Sequence, residues 1–150
     1  FGCSDVVKLL LEKGADVNMK EKSGWSPLHS ALADEDGELI QLLLDSGADV
    51  NAQADDGTAP LHEAVAYGSP DVIKLLLEHG ADVNMKSVDG TTPLHGAASL
   101  GDVEVVKLLM EHGAIVEAVN EAGATAEGVA EAAGHAQVAR LLRDRGHGVN

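Results

Sequence analysis

The feature that most constrains the fold of this chain is a sequence block that returns every 33 residues without insertion or deletion. Glycines mark the end of each copy, at Gly14, Gly47, Gly80, Gly113 and Gly146. Such a period means that one small structural unit is stacked on copies of itself, because a single unit cannot bury its apolar face alone. The chain is therefore predicted to form a solenoid whose function lies on its surface.

The third copy shows which elements make up the unit. Thr92 is a favourable N-cap and Pro93 a favourable first helical residue, because the fixed φ of proline suits a helix and its missing N–H would have no partner there. Gly101 can end this helix in the left-handed conformation that glycine adopts at low cost. Apolar residues then recur at helical spacing, at Val105, Val106, Leu108 and Leu109. They predict a second helix, and the following Gly-Ala-Asp-Val-Asn segment of the earlier copies favours a projecting β-hairpin loop.

This pattern resembles the ankyrin repeat, whose hallmark is a Thr-Pro-Leu-His helix start with Gly-Ala-Asp-Val-Asn after the second helix. The Leu-His pair follows proline three times, at Leu28-His29, Leu61-His62 and Leu94-His95. The resemblance implies an all-α fold, an ankyrin-type αα solenoid of helix-turn-helix units with β-hairpin loops, forming one domain over residues 1–150. It divides the chain into a partial first repeat (1–22), complete repeats (23–55, 56–88 and 89–121) and a divergent C-terminal capping repeat (122–150).

The composition agrees with a thin-layered solenoid. Residues are 45% hydrophobic but only 2% aromatic, so the core must be built from Leu, Val, Ile and Ala. No run of apolar residues is long enough to span a bilayer, and no signal-peptide pattern stands at the start. The single Cys3 cannot form an internal disulfide, which favours an intracellular, cytoplasmic location, although a secreted ankyrin array would need no disulfide either.

The first copy is incomplete. Aligned by the period, Phe1 and Gly2 match Leu100 and Gly101, so the chain opens where a first helix would close. We expect a longer natural protein, and a second helix over about residues 5–13 whose apolar face is partly uncovered.

The seven histidines of the chain invite a metal or catalytic interpretation, which geometry disfavours. Three of them occupy equivalent positions in neighbouring repeats, at His29, His62 and His95. Stacked helices lie about 8 to 10 Å apart, too far for equivalent side chains to share a zinc ion with bonds of about 2 Å. The resemblance implies instead that these rings hydrogen-bond adjacent repeats together. No spacing typical of a catalytic triad, a zinc protease or a phosphate loop appears, so we predict no catalytic residues, cofactor or metal site.

One departure from the repeat is Glu35, which stands where Gly68, Gly101 and Gly134 stand in the other copies. A non-glycine residue in a left-handed cap costs about 1 to 2 kcal/mol. Either the helix runs on to Gly37 and the surface turn is adjusted, or this turn is a feature that binds a partner.

In ankyrin proteins the variable positions usually contact the target, and the resemblance transfers that role to residues around the hairpin glycine and before the glycine that closes the first helix. These predicted contact residues of the concave face are Trp25, Asp34, Asp55, Asp56, Thr58, Tyr67, Val88, Asp89, Thr91, Ser99 and Leu100, with Lys22, Ser23, Ala33 and Ala66 at the same positions. The chain has one Trp and one Tyr, and both belong to this set. Aromatic residues are enriched among binding hot spots, so Trp25, Tyr67 and Leu100 are the candidate anchors. The alternative is that they shield neighbouring helix ends.

Charge narrows the class of partner. The net charge is −15, and no Lys or Arg occurs from Ser23 to Ile73. Such a surface repels phosphate groups, which disfavours nucleic acid and anionic membranes. The charge either serves solubility alone or favours a protein partner with a basic, partly apolar patch.

The sequence therefore predicts a non-enzymatic protein-protein interaction scaffold that binds through its concave face and hairpin tips. The alternatives are the regulatory ankyrin portion of a larger enzyme or channel whose chemistry lies outside this chain, and an engineered ankyrin binder.

Overall fold

The structure, a computed structural model, describes residues 3–67 and 69–146. This described part contains nine α-helices and no β-strand. The helices are α1 (Cys3–Glu12), α2 (Pro27–Ala33), α3 (Gly37–Asp45), α4 (Pro60–Ala66), α5 (Pro70–Glu78), α6 (Pro93–Leu100), α7 (Val103–Glu111), α8 (Ala126–Ala132) and α9 (Ala136–Gly146). Phe1, Gly2, Gly68 and residues 147–150 lie outside the described residues, and so do the sequence predictions that concern them.

The helices form two layers. The inner layer consists of the short helices α2, α4, α6 and α8, which pack against one another in sequence order. Each inner helix also packs against the outer helix that follows it, namely α3, α5, α7 or α9. Outer helices contact each other as well, for example α1 with α3 and α5 with α7. This confirms the predicted all-α solenoid.

The helix boundaries follow from the capping residues seen in the sequence. Thr92 is the N-cap of α6 with φ −99°, Pro93 is its first residue, and Gly101 ends it with φ 75°. The outer helix α7 begins after Asp102, whose carboxylate accepts a hydrogen bond from the N–H of Val105 at 3.1 Å. Such caps satisfy N–H groups that a helix leaves open, and a side-chain oxygen of the N-cap residue accepts from the first turn in α3, α6, α7 and α8.

The core is aliphatic, as the composition predicts. Buried Leu, Ile, Val and Ala side chains form one continuous cluster that runs through the stack from α2 to α9. Leu28, Ile73 and Leu109 have no solvent exposure. Small side chains allow the two layers to approach closely, and each unit closes the core of the unit before it.

The turn between α2 and α3 shows that the expected extension of the helix to Gly37 is wrong. Helix α2 ends at Ala33 and does not continue to Gly37, which is instead the first residue of α3. Glu35 adopts the left-handed conformation itself, with φ 54°, the only such non-glycine residue in the described part of the chain. The repeat geometry therefore overrides the local cost of about 1 to 2 kcal/mol.

Helix α1 differs from the other outer helices in its exposure. Val6, Leu9 and Leu10 are 50%, 55% and 53% exposed, whereas Val7 is partly buried against the core. The expectation of a partly uncovered apolar face is confirmed.

Candidate interaction surface

The loops between successive units end in tight hairpin turns. In one of them the N–H of Ala54 donates to the carbonyl oxygen of Thr58 at 2.9 Å, and the N–H of Gly57 donates to the carbonyl oxygen of Ala54 at 2.9 Å. The same pair of bonds recurs at residues 21–25, 87–91 and 120–124. The predicted β-hairpin loops are thus tight turns, and no β-strand forms in the described residues.

Each turn is tied to the next. One backbone N–H per junction donates to a carbonyl oxygen of the preceding turn: Asp55 to Ser23 at 3.0 Å, Val88 to Asp56 at 2.8 Å and Glu121 to Asp89 at 2.9 Å. Asparagine side chains add a second link, since Asn51 donates to the carbonyl oxygen of Gly80 at 3.0 Å and accepts from the N–H of Asp82 at 2.7 Å. Asn18 and Asn84 make the equivalent pairs of bonds. The tips are therefore held in a fixed register, which lowers the ordering cost of binding.

Three histidines link the inner helices to the following turns. The Nε2–H groups of His29, His62 and His95 donate to the carbonyl oxygens of Thr58, Thr91 and Ala124 at 2.9, 2.9 and 3.0 Å. Each Nδ1 accepts from a backbone N–H three residues earlier, an arrangement that uses the tautomer with the proton on Nε2. Burial is the main reason why the pKa of His29 and of His62 is lowered. The inter-repeat role implied by the resemblance is confirmed.

Both nitrogens of these rings are thus already engaged in the stack. In the part of the chain that the structure describes, no group of three or more His, Cys, Asp or Glu side chains is placed to hold a metal ion.

The helix pairs, the histidine links and the linked turns recur together at each complete unit, and a family model described as ankyrin repeats (3 copies) matches the chain over residues 1–87 and again over residues 84–150. The chain belongs to the ankyrin repeat family. Ankyrin repeats are general protein-protein interaction modules and are typically not enzymes. A comparison with curated proteins finds no significant match. None of the helices in the described ranges is long and apolar enough to cross a membrane.

We refer to the hairpin turns together with the exposed side of the inner helices as the concave face of this ankyrin array. One group of predicted contact residues meets between two adjacent turns, where Asp56, Thr58, Val88, Asp89 and Thr91 line a shallow cleft of about 390 Å³ with His62 and Ser87. We call it the turn cleft. A second group follows the inner helices at their C-terminal ends, namely Asp34, Tyr67, Ser99 and Leu100, and all four are exposed. Asp55 is exposed in the turn beside Asp56.

The aspartates of the turn cleft have a structural task as well as a charge. The carboxylates of Asp56 and Asp89 accept from the N–H groups of Thr58 and Thr91 at 2.9 and 3.1 Å. Hydrogen bonds from Thr58 lower the pKa of Asp56, and the hydroxyl of Ser87 is the main cause that lowers the pKa of Asp89. Both carboxylates therefore stay ionised and fixed in direction.

Large apolar side chains stand exposed on the same face. Tyr67, Leu100 and Val88 are 42%, 52% and 67% exposed. Tyr67 follows α4 directly, and Leu100 is the equivalent residue at the end of α6. These two side chains stand at equivalent positions of neighbouring inner helices, and the stack leaves both exposed.

Trp25 lies elsewhere. It is half-buried, its ring stacks on that of His29 with centroids 5.9 Å apart, and it lines a cleft of about 380 Å³ with Val7 and Leu10 of α1 and Pro27 of α2. We call this the end cleft. The structure therefore separates Trp25 from the turn cleft, and its role as an anchor stays a prediction.

Sequence reasoning missed Glu63, which lies on α4 directly after His62, a residue that lines the turn cleft. It is partly buried, and burial followed by the negative charge of Asp56 raises the pKa of its carboxyl group. Its counterparts in the neighbouring inner helices are Ser30 and Gly96. The variation directly after Pro-Leu-His was the available signal, because a position that differs between copies is free of the packing that every copy needs.

Among the described residues, no ion pair involves an acidic group of this face. Both ion pairs found in the described residues belong to Arg143, which pairs with Glu127 at 2.7 Å and with Glu131. Asp34, Asp55 and Glu63 take part in neither. The negative potential of the concave face is thus left open to a partner.

Proposed function

We propose that this ankyrin array is a non-enzymatic scaffold that binds another protein through its concave face and hairpin tips. The partner presents a basic, partly apolar patch. An intracellular, cytoplasmic setting is part of the proposal and is supported by the single cysteine of the sequence. Nucleic acid and anionic membranes are disfavoured as partners by the net charge of −15.

The observation that carries the proposal is the contrast between two kinds of residue on the inner helices. His62 is committed to the stack through both ring nitrogens. Tyr67, at the end of the same helix, is 42% exposed, and Leu100 in the next unit is 52% exposed. An exposed tyrosine on a rigid surface is typical of binding hot spots, and an exposed leucine in the next unit adds apolar area for a partner to cover.

The test compares two double variants in a capture experiment. Tyr67→Ala with Leu100→Ala removes these two exposed side chains from the concave face. Ile115→Ala with Val119→Ala is the matched control, because these side chains are similarly exposed, at 53% and 48%, in a loop outside the predicted contact set. A protein captured by the wild type should be lost with the first variant and kept with the second. With purified partner, each concave-face substitution should weaken binding by more than about 1 kcal/mol.

Charge is tested separately with Asp34→Lys and Asp55→Lys, which leave the turn-forming carboxylates of Asp56 and Asp89 in place. Association should slow and its salt dependence should flatten, because charges at the rim act mainly on the on-rate. Equal capture by all variants, or equal loss with the control, would contradict binding at the concave face.

A further inference from the structure

The concave face is divided across its width into a charged side and an apolar side. Glu63 and Tyr67 lie four residues apart at α4, which places them on one side of the helix about 6 Å apart along its axis. Glu63 follows His62, whose side chain lines the turn cleft. Tyr67 stands at the opposite end of the helix, beside the equivalent Leu100 of the next unit. The division therefore runs across the stack rather than along it.

The charged side combines three carboxylates with an apolar wall. Asp56 and Asp89 line the turn cleft, and Val88 between them is 67% exposed. Glu63, the residue after the cleft-lining His62, adds a partly buried carboxylate on α4. A carboxylate in such a place gains more from a cation than one in open water does, because water screens the pair less. The long side chains of lysine and arginine fit this combination, since their methylene groups cover apolar surface while the charged end reaches an acceptor.

Gly96 is the counterpart of Glu63 on the neighbouring inner helix. A Cβ atom added at Gly96 would lie 3.4 Å from the Cγ1 of the buried Val65, so the two inner helices approach closely here. The carboxylate at this position of the repeat is therefore contributed by α4 and not by α6.

We propose that the partner presents a two-sided segment, with a lysine or arginine that enters the turn cleft at Asp56, Glu63 and Asp89, and an apolar side chain that covers Tyr67 and Leu100. This inference rests on the proposed function and specifies the chemistry that the concave face recognises.

The width of the face sets the spacing within the segment. Side chains about 6 Å apart on one side of a peptide are separated by about two residues in an extended strand and by about three or four in a helix. The basic and the apolar residue of the partner should therefore stand two to four positions apart.

A random peptide library displayed on phage and selected against the whole chain tests the inference without knowledge of the natural partner. Selected peptides should be enriched in a lysine or arginine with an apolar residue about two to four positions away. For a selected peptide, Glu63→Gln should weaken binding about tenfold or more, as expected for a lost charge-assisted hydrogen bond. Replacing the basic residue of the peptide by glutamine should have little further effect on the Glu63→Gln variant, which is the signature of direct coupling.

The apolar side has its own cycle, in which Leu100→Ala is combined with alanine at the apolar position of the peptide. Ile115→Ala is the control, and circular dichroism of each variant verifies the fold. Peptides that lose binding with Tyr67→Ala or Leu100→Ala but contain no enriched basic residue would overturn the two-sided segment and leave the proposed function standing. An absence of selected peptides, or peptides insensitive to every concave-face substitution, would overturn both.

Discussion

Two helices of this protein have almost the same sequence and opposite surroundings. Residues 5–12 in α1 and 71–78 in α5 differ only by Val7 in place of Ile73. Leu76 of α5 has no solvent exposure, whereas its counterpart Leu10 of α1 is 53% exposed. Helix α5 packs against α4 and α7, while α1 packs against α3. The sequence pattern thus identifies the side chains that can be buried, and the neighbouring helices decide whether they are.

The largest expected effect is a difference in stability between equivalent variants of α1 and α5. Leu76→Ala should lower the free energy of unfolding by about 2 to 5 kcal/mol, because it removes a fully packed side chain and leaves a cavity. Leu10→Ala should cost less than about 1 kcal/mol, since half of that side chain already contacts water. Urea denaturation of the two variants measures both values.

Hydrogen exchange provides an independent measure of the same contrast. Amides of α1 should exchange faster than those of α5, because local opening of α1 exposes less additional apolar surface. Similar protection in both helices, together with similar losses from the two alanine substitutions, would mean that another molecule covers α1 in solution.

A smaller effect is expected for the hydrogen bonds that join the units. The complete units are linked by histidine side chains, whereas the first junction relies on bonds such as that from Lys20 to the carbonyl oxygen of Gln53 at 2.7 Å. Because the pKa of His62 is lowered in the folded state, its stabilisation is fully present above the unfolded pKa of about 6.5 and is lost as the pH falls below that value towards the folded pKa.

Denaturation midpoints between about pH 7 and pH 5 measure this dependence. His62→Gln should cost about 1 to 3 kcal/mol at neutral pH, because buried partners lose their hydrogen bonds. The variant should also show a flatter pH profile than the wild type. An unchanged slope would show that protonation of His62 does not weaken the stack.

The smallest expected effect concerns the N-caps of the inner helices in two complete repeats. Ala59 is the N-cap of α4 and has no side-chain acceptor, whereas Thr92 caps α6 with its hydroxyl group. Ala59→Thr should therefore stabilise the protein by about 0.5 to 2 kcal/mol. Ala59→Val is the matched control, since valine has the shape of threonine without the hydroxyl. Equal denaturation midpoints for the Thr and Val variants would show that the hydroxyl cap does not cause the stabilisation.

Features that depend on local chemistry were predictable from the sequence. The start of α6 at Pro93 and its end at Gly101 follow from rules that involve neighbouring residues only. The link through His95 came from the family resemblance. The turn at Glu35 was not decided by local rules, because stacking of the adjacent units outweighs the preference of one residue for another conformation.

The candidate surface was less predictable because it depends on distances across the fold. Tyr67 and Leu100 were named from their positions in the repeat, and the structure shows both exposed. Glu63 was missed, since its proximity to Asp56 depends on how the turn folds over the helix. Trp25 was grouped with Tyr67 by position, yet the packing of α1 places it in the end cleft.

The bonds that join the units have a consequence for how such genes change in length. His29 donates to the carbonyl oxygen of Thr58, and Thr91 occupies the same place one unit later. A gene that lost the codons for residues 56–88 would bring Thr91 to the site of Thr58, and each donor at the new junction would meet an acceptor of the same kind. Because the junctions between complete units use the same donors and acceptors, recombination can lengthen or shorten the array by whole units without a second mutation that restores the hydrogen bonds.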